Sequence, residues 1–218
     1  MPCAERVLAG ATAALGYLAL GVAGVVTRDI AVADGLSVGQ TLVQFFSYFT
    51  ILSNIFAAAV LTRAALKCDA ITFLARPTIM SAAAVYMGSA GLIYVLALRG
   101  FLHPRGWFQI FVDILLHGFL PTLIILWWLM FVPKGTLRVT DAIVWLLFPF
   151  GYWIYIFVRG AVFGAYPYPL VDPALRGWTR ALTNSALHIG TILVLGLAAV
   201  AVNQWMAQRN GANKNRAG

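Results

Sequence analysis

Charged residues are scarce in this 218-residue chain, since Asp, Glu, Lys and Arg together make up only 10% of it. Ordinary soluble domains contain about a quarter. Acidic residues are the fewest, with 7 Asp and Glu against 15 Lys and Arg. Hydrophobic residues make up 61% of the chain, and the mean hydropathy is +0.86. This composition excludes a soluble globular domain and predicts a polytopic membrane protein.

The net charge of +8 would suggest nucleic acid as a partner in a soluble protein. Here the basic residues lie almost entirely between apolar runs, where they set topology and contact anionic lipid headgroups. We therefore predict the membrane, and no nucleic acid, as the partner.

Cysteine is also rare, and the two that occur are Cys3 and Cys68. They lie far apart, outside the apolar runs, without the spacing of metal ligands, and we interpret them as ordinary thiols. The sequence predicts neither a metal site nor a bound cofactor.

Six apolar runs dominate the chain, at 7–26, 42–62, 78–98, 107–132, 139–160 and 181–203. In a bilayer such runs must be helical, because a helix satisfies its own backbone polar groups. The first run is longer than the hydrophobic part of a signal peptide and lacks a cleavage pattern after it, so it counts as a span. The sequence thus predicts an all-α, six-helix transmembrane domain over 1–206, followed by a polar, disordered tail over 207–218.

Basic residues in the connections predict the orientation of the bundle. Nine lie on the side of both termini: Arg6, Arg63, Lys67, Arg76, Lys134, Arg138, Arg209, Lys214 and Arg216. Six lie on the other side: Arg28, Arg99, Arg105, Arg159, Arg176 and Arg180. This excess predicts an integral cell-membrane protein with both termini in the cytoplasm.

Small and aromatic residues predict how the helices are placed. Gly10 in span one, and Gly88 and Gly91 in span three, are expected to let neighbouring backbones approach closely. Trp127 and Trp128 lie near the end of span four, where we expect them to join an interfacial aromatic belt.

Span four carries an ionisable pair within the predicted membrane. Asp113 and His117 are four residues apart, and Pro121 follows after four more, so all three share one helical face. An intramembrane ionisable residue is by default a functional-site hypothesis. Pro121 is expected to disturb the backbone ladder near His117 and to open space for a ligand.

Other spans place polar side chains at a similar depth in the outer half of the bundle. They are Ser47, Thr50 and Asn54 in span two, Tyr152 and Tyr155 in span five, and Asn184 and His188 in span six. A shared depth on separate helices predicts one internal cavity that a lipid-like substrate could enter.

The residues in this layer are suited to nucleophilic catalysis. A Thr hydroxyl becomes a nucleophile when a base takes its proton, and either His117 or His188 could be that base for Thr50. Asp113 could orient His117, or it could pair with an interfacial arginine, Arg105 or Arg159. Donors for a developing oxyanion could come from Asn54, Tyr152 or Asn184.

Three segments resemble one known family. FTILSN (49–54), LLHGFLP (115–121) and YIFVRGAVFGAYPYPLVD (155–172) follow one another along the chain, and together they resemble membrane proteins of the androgen-induced-gene type. That family includes the androgen-dependent TFPI-regulating protein, and the chain resembles its bacterial six-pass branch. Vertebrate members are threonine hydrolases of fatty acid esters of hydroxy fatty acids. The resemblance implies a lipid-ester hydrolase with Thr50 as nucleophile and His117 as its partner.

Other functions remain open from the residues alone. The polar layer could bind or transport a lipid or small molecule without catalysis. His117 and His188 could be axial ligands of a haem in an electron carrier. An intramembrane serine protease is disfavoured, because GSAG (88–91) has its serine one place too early for a G-x-S-G motif.

Overall fold

A computed structural model describes residues 2–67, 69–100 and 106–217. Throughout these ranges the regular structure is helical and no strand occurs. Six helical segments are long and apolar enough to cross a membrane. The all-α fold with six spans is therefore confirmed, and the chain is a multi-pass membrane protein. Cys68 and Arg105 lie outside the described residues.

The α-helices differ in detail from the six apolar runs. They are α1 (Pro2–Ala33), α2 (Val38–Phe45), α3 (Phe49–Leu66), α4 (Pro77–Ile93), α5 (Trp107–Ile114), α6 (Leu120–Phe131), α7 (Val139–Val144), α8 (Leu147–Phe163), α9 (Pro173–Arg176) and α10 (Trp178–Ala217). Short 3₁₀ segments occupy Asp69–Ala75 and Pro169–Val171. Wider π-helical turns follow α4 at Tyr94–Leu98 and join α5 to α6 at Leu115–Phe119.

The last helix continues well past the predicted end of span six. The polar composition of 207–218 predicts disorder, whereas α10 runs to Ala217. A helix that is already formed adds residues at little cost, and the tail contains no proline to stop it.

The bundle is held together by close packing of its helices around α3 and α4. Helix α1 packs along α3, α3 packs on α4, and α4 also contacts α6 and α10. A Cβ added at Gly10 would lie 3.5 Å from the Cβ of Ala65, and one at Gly16 would lie 3.6 Å from that of Ala58. These small residues let the α1 and α3 backbones approach, which is how helices associate in lipid.

The tryptophan pair of span four lies inside the bundle. Trp127 is 1% exposed and Trp128 is 5% exposed, so the interfacial-belt prediction for them is wrong. The indole N–H of Trp128 donates to Ser81 Oγ at 2.7 Å. A polar residue on a neighbouring span, which the apolar run itself does not reveal, satisfies this indole in the core.

Candidate active site

The predicted second span is broken just before Thr50. Helix α2 ends at Phe45 and α3 begins at Phe49, so Thr50 is the second residue of α3 rather than part of a continuous 42–62 helix. Ser47 lies in the break, where its hydroxyl contacts Tyr155 Oη at 3.1 Å. The prediction of one helix over 42–62 is therefore wrong here, because a turn separates Ser47 from Thr50.

A loop residue satisfies the start of α3. The N-cap residue of this helix, Tyr48, makes no side-chain capping bond. The N–H of Phe49 instead donates to the hydroxyl of Tyr168, at 2.9 Å. Tyr168 belongs to the YPYP segment between α8 and α10. This loop thus holds the turn of helix that carries Thr50, because free N–H groups at a helix start need acceptors.

Span four is widened where His117 lies. Leu115–Phe119 form a π-helical turn, closed by a hydrogen bond from the N–H of Leu120 to the carbonyl of Leu115. Pro121 has no N–H to offer the preceding turn, so the regular hydrogen-bond ladder cannot continue there. Single π-helical turns inside α-helices are frequently found at functional sites.

Thr50 and His117 form the central contact of the site. Thr50 Oγ1 lies 3.0 Å from His117 Nε2, and His117 Nδ1 lies 3.1 Å from the main-chain carbonyl oxygen of Asp113. A carbonyl can only accept, so Nδ1 carries the ring proton and donates it to Asp113. The lone pair of Nε2 therefore faces Thr50, and the threonine hydroxyl donates to it. This is the arrangement in which a neutral histidine can take the proton of a hydroxyl.

The carboxylate of Asp113 does not hydrogen-bond to His117, although the sequence suggested that it could orient the ring. Its Oδ1 lies 4.0 Å from His117 Nδ1, which is beyond hydrogen-bond distance. The predicted orientation of His117 by Asp113 comes from the main chain instead. Of the arginine alternatives, Arg159 donates to the carbonyl of Ala165, at 2.9 Å, and Arg105 lies outside the described residues.

Two residues of span three support His117: Tyr94, which the sequence did not indicate, and Gly91, which it indicated only as a packing residue. The ring of Tyr94 stacks on the imidazole, with 4.0 Å between centroids and 16° between planes. Gly91 lets α4 approach the π-helical turn, since a Cβ there would lie 2.5 Å from the carbonyl oxygen of His117. The available signal was Gly91 as a small residue in a span, but its partner could not be read from spacing.

Asn54 connects the two helices of the site. Its Nδ2 donates to the carbonyl of Thr50 at 2.8 Å and to that of Leu116 at 3.4 Å. The side chain is 2% exposed. Asn54 therefore links the start of α3 to the widened turn of span four, and its amide is occupied rather than free to donate to an oxyanion.

The other predicted oxyanion donors also hold main-chain carbonyls. Tyr152 donates to the carbonyl of Ser47 at 2.8 Å, which stabilises the break before α3. Asn184 donates to the carbonyl of Leu170 at 2.7 Å, which ties α10 to the loop that contains Tyr168. The structure does not bring either side chain into hydrogen-bond contact with Thr50.

His188 occupies a different place from His117. Its Nδ1 accepts a hydrogen bond from Trp153 Nε1 at 3.2 Å, and its ring packs edge-on against Phe49 at 4.6 Å between centroids. No hydrogen bond joins it to Thr50 among the described residues. Of the two bases that the sequence left open, the geometry therefore favours His117.

Two cavities meet at Thr50. One of about 160 Å³, here called the His188 cavity, has a largely apolar lining that includes Ala90, Ile93, Trp153, Asn184, Leu187 and His188. The other, of about 210 Å³ and here called the His117 cavity, is lined by residues that include Ala23, Val26, Val112, Asp113, His117 and Pro169. Thr50, Leu98 and Tyr168 line both. The threonine hydroxyl thus lies where a bound molecule could extend to either side.

Comparison with known proteins adds no relative: no protein-family model, no curated protein and no solved structure matches this chain. Within the described residues, no group of three or more His, Cys, Asp or Glu side chains could hold a metal ion. The comparisons therefore neither support nor contradict the candidate site, which is defined by the geometry described above.

Proposed function

We propose that this protein is an integral-membrane hydrolase of lipid esters, with Thr50 as nucleophile and His117 as general base. The observation that carries the proposal is the 3.0 Å contact between Thr50 Oγ1 and the unprotonated Nε2 of His117. The carbonyl of Asp113 fixes that protonation state by accepting from Nδ1. A hydroxyl paired with an oriented base is the usual mark of an activated nucleophile.

The chemistry proceeds through an acyl-threonine. Thr50 Oγ attacks the carbonyl carbon of the ester while its proton passes to His117 Nε2. The bond to the alcohol oxygen then breaks, and His117 gives this oxygen its proton. A water molecule next loses a proton to His117 and attacks the acyl carbon, which releases the acid and returns the proton to Thr50 Oγ. The first turn of α3 places the positive end of a helix dipole beside the developing oxyanion.

The surroundings of Thr50 support a lipid as the substrate. Both cavities lie within the helical bundle, and their linings are mainly aliphatic and aromatic. Such linings favour long hydrocarbon chains, with few polar groups to fix their orientation. The resemblance to threonine hydrolases of fatty acid esters points to the same class of substrate.

The test is hydrolysis of a fluorogenic long-chain ester by the purified protein in nanodiscs. We expect His117→Ala to lower the rate at least about 100-fold, the range of a lost general base, and Thr50→Ala, which lacks the nucleophile, to lower it at least as much. Thr50→Ser should keep measurable activity, because it keeps a hydroxyl. Thr62→Ala is the matched control, since Thr62 is on the same helix and donates to the carbonyl of Ala58 at 2.8 Å.

Full activity in both variants at the site would overturn the mechanism. Ester binding without turnover by the parent protein would instead support a non-catalytic lipid-binding or transport protein. A β-lactone probe separates the two further. The hydrolase should yield a covalent adduct on Thr50, identified by peptide mass spectrometry, which the binding protein should not.

We also propose that both termini lie in the cytoplasm, as the distribution of basic residues indicates. The loop after α8 then faces outward, and the site lies toward the outer leaflet. The exposed Cys3 permits a test. In intact cells of a Cys68→Ser variant, a membrane-impermeant maleimide should leave Cys3 unlabelled and should label a cysteine introduced by Ala174→Cys. The reverse pattern would invert the topology.

A further inference from the structure

His188 is held with one defined nitrogen protonated. Trp153 Nε1 lies 3.2 Å from His188 Nδ1, and an indole N–H can only donate. Nδ1 must therefore be the unprotonated nitrogen, and the neutral ring carries its proton on Nε2. The edge-on ring of Phe49, at 4.6 Å, further restricts rotation of the imidazole.

The Nε2–H group of His188 is buried and has no hydrogen-bond partner among the described residues. The residue as a whole is only 6% exposed. Buried polar groups are nearly always paired, so an unpaired donor calls for a specific explanation. A structural role would be complete once Trp153 is satisfied, and it leaves Nε2 unexplained.

The imidazole lines the same cavity as Thr50. The rest of that lining is mainly apolar and includes Ile93, Leu98 and Leu187. An occupant that suits both features has a hydrocarbon chain and an oxygen that only accepts hydrogen bonds. The carbonyl or carboxylate oxygen of an acyl group has this chemistry.

We propose that the His188 cavity is an acyl-binding subsite, in which His188 Nε2–H donates to the acyl oxygen of a long-chain fatty acid or of its ester. His188 is then a positioning residue that binds the acyl part beside Thr50, and it is not a second base. The inference deepens the proposed hydrolase function by assigning a side of the site to the acyl group.

The test measures binding in a Thr50→Ala background, so that it does not depend on hydrolysis. A fluorescent long-chain fatty acid is bound to the full-length protein in nanodiscs. It is then displaced by the unlabelled acid, by its methyl ester or by the alkane of equal length. We expect the acid and the ester to compete and the alkane to compete at least about tenfold less well, since it lacks the acceptor.

Substitutions of His188 then test whether its Nε2–H is the group that donates to the acyl oxygen. The amide nitrogen of Gln can replace Nε2, whereas Asn reaches only to the position of Nδ1. His188→Gln should therefore keep binding within about twofold, and His188→Asn and His188→Phe should weaken it about five- to tenfold, the value of one neutral hydrogen bond. Unchanged binding in the Phe variant, or equal loss in the Gln and Asn variants, would overturn the proposal.

A spectroscopic measurement keeps the proposal testable even where a variant fails to fold. In the ¹⁵N-histidine-labelled Thr50→Ala protein, the His188 signal should show a protonated Nε2 and an unprotonated Nδ1. Addition of the fatty acid should shift the Nε2 proton downfield. A proton on Nδ1, or no change on addition of the acid, would refute the assignment. Failure of hydrolysis alone leaves these results intact, so the two proposals fail separately.

Discussion

In the proposed mechanism, the reactivity of Thr50 depends on which nitrogen of His117 carries a proton. The main-chain carbonyl of Asp113 accepts from Nδ1 at 3.1 Å, and this leaves Nε2 free to accept from the threonine. A main-chain acceptor cannot be protonated or replaced by substitution. The dyad therefore differs from a Ser-His-Asp triad, in which a carboxylate holds the histidine.

This difference predicts a mild effect of Asp113→Asn. In serine proteases the same change at the triad aspartate costs about 10⁴-fold, but here we expect less than about tenfold, because the orienting carbonyl remains. The measurement is kcat for a long-chain ester, with His117→Asn as the inactive reference. A loss comparable to that of His117→Asn would show that the carboxylate, now at 4.0 Å, moves onto the ring during turnover.

At the scale of elements, the site is built from two departures from regular α-helix. One is the break between α2 and α3, and the other is the π-helical turn at Leu115–Phe119. Pro121 marks the second in the sequence, so a disturbance near His117 could be predicted. The break between α2 and α3 has no proline or glycine in its FSY segment (46–48), so no residue there marks it in the sequence. Two distant residues stabilise the break before α3: Tyr152 donates to the carbonyl of Ser47, and the hydroxyl of Tyr168 accepts from the N–H of Phe49.

The π-helical turn leads to a prediction for the two glycines of span three. Gly91→Ala should destabilise the protein by about 1–3 kcal/mol, the usual cost of overpacking, because the added Cβ would meet the carbonyl oxygen of His117 at 2.5 Å. It should also lower ester hydrolysis by displacing His117. Unfolding in mild detergent and the rate of hydrolysis check both effects.

Gly88→Ala is the matched control for this change. Its added Cβ would contact only the flexible end of Ile125, at 3.4 Å. We expect a stability change within about 0.5 kcal/mol, as for most tolerated substitutions, and unchanged activity. Equal effects at the two glycines would show that His117 does not depend on the approach of α4.

At the scale of the whole molecule, the fold followed from the sequence more fully than the site did. Runs of apolar residues predict helices in lipid, because no other local structure satisfies the backbone there. Thr50 and His117 were singled out by a resemblance and by their depth. The supporting contacts of Tyr94, Tyr168 and Trp153 could not be predicted, since each joins elements far apart in the chain and depends on how the spans pack.

Lys134, in the connection between spans four and five, predicts how stability of the whole bundle varies with pH. Its Nζ donates to the carbonyls of Trp128 and Val132, at 2.7 and 2.8 Å. Burial lowers the pKa of this ammonium group to about 8, against about 10.4 for an ordinary lysine. Between these values the unfolded chain holds a proton that the folded protein has released, so the unfolding free energy rises with pH.

We expect the apparent Tm in detergent to show this rise between about pH 8 and pH 10.4 in the parent protein. Lys134→Met should lack this contribution, so that its Tm varies less with pH over the same range. Only the slopes are compared, because the substitution also removes two hydrogen bonds. Parallel curves for the two proteins would contradict the lowered pKa.

Thr50, Leu98 and Tyr168 form a wall that the two cavities share. This position of Thr50 bears on the order in which the two products leave, and therefore on how each product inhibits the enzyme. Under the proposed hydrolase function, the alcohol leaves first, while the acyl chain stays attached to Thr50 on one side of the wall. The acid leaves last and returns the free enzyme. Added acid should therefore inhibit competitively with the ester, whereas added alcohol should inhibit in a mixed manner, as in other reactions through a covalent intermediate.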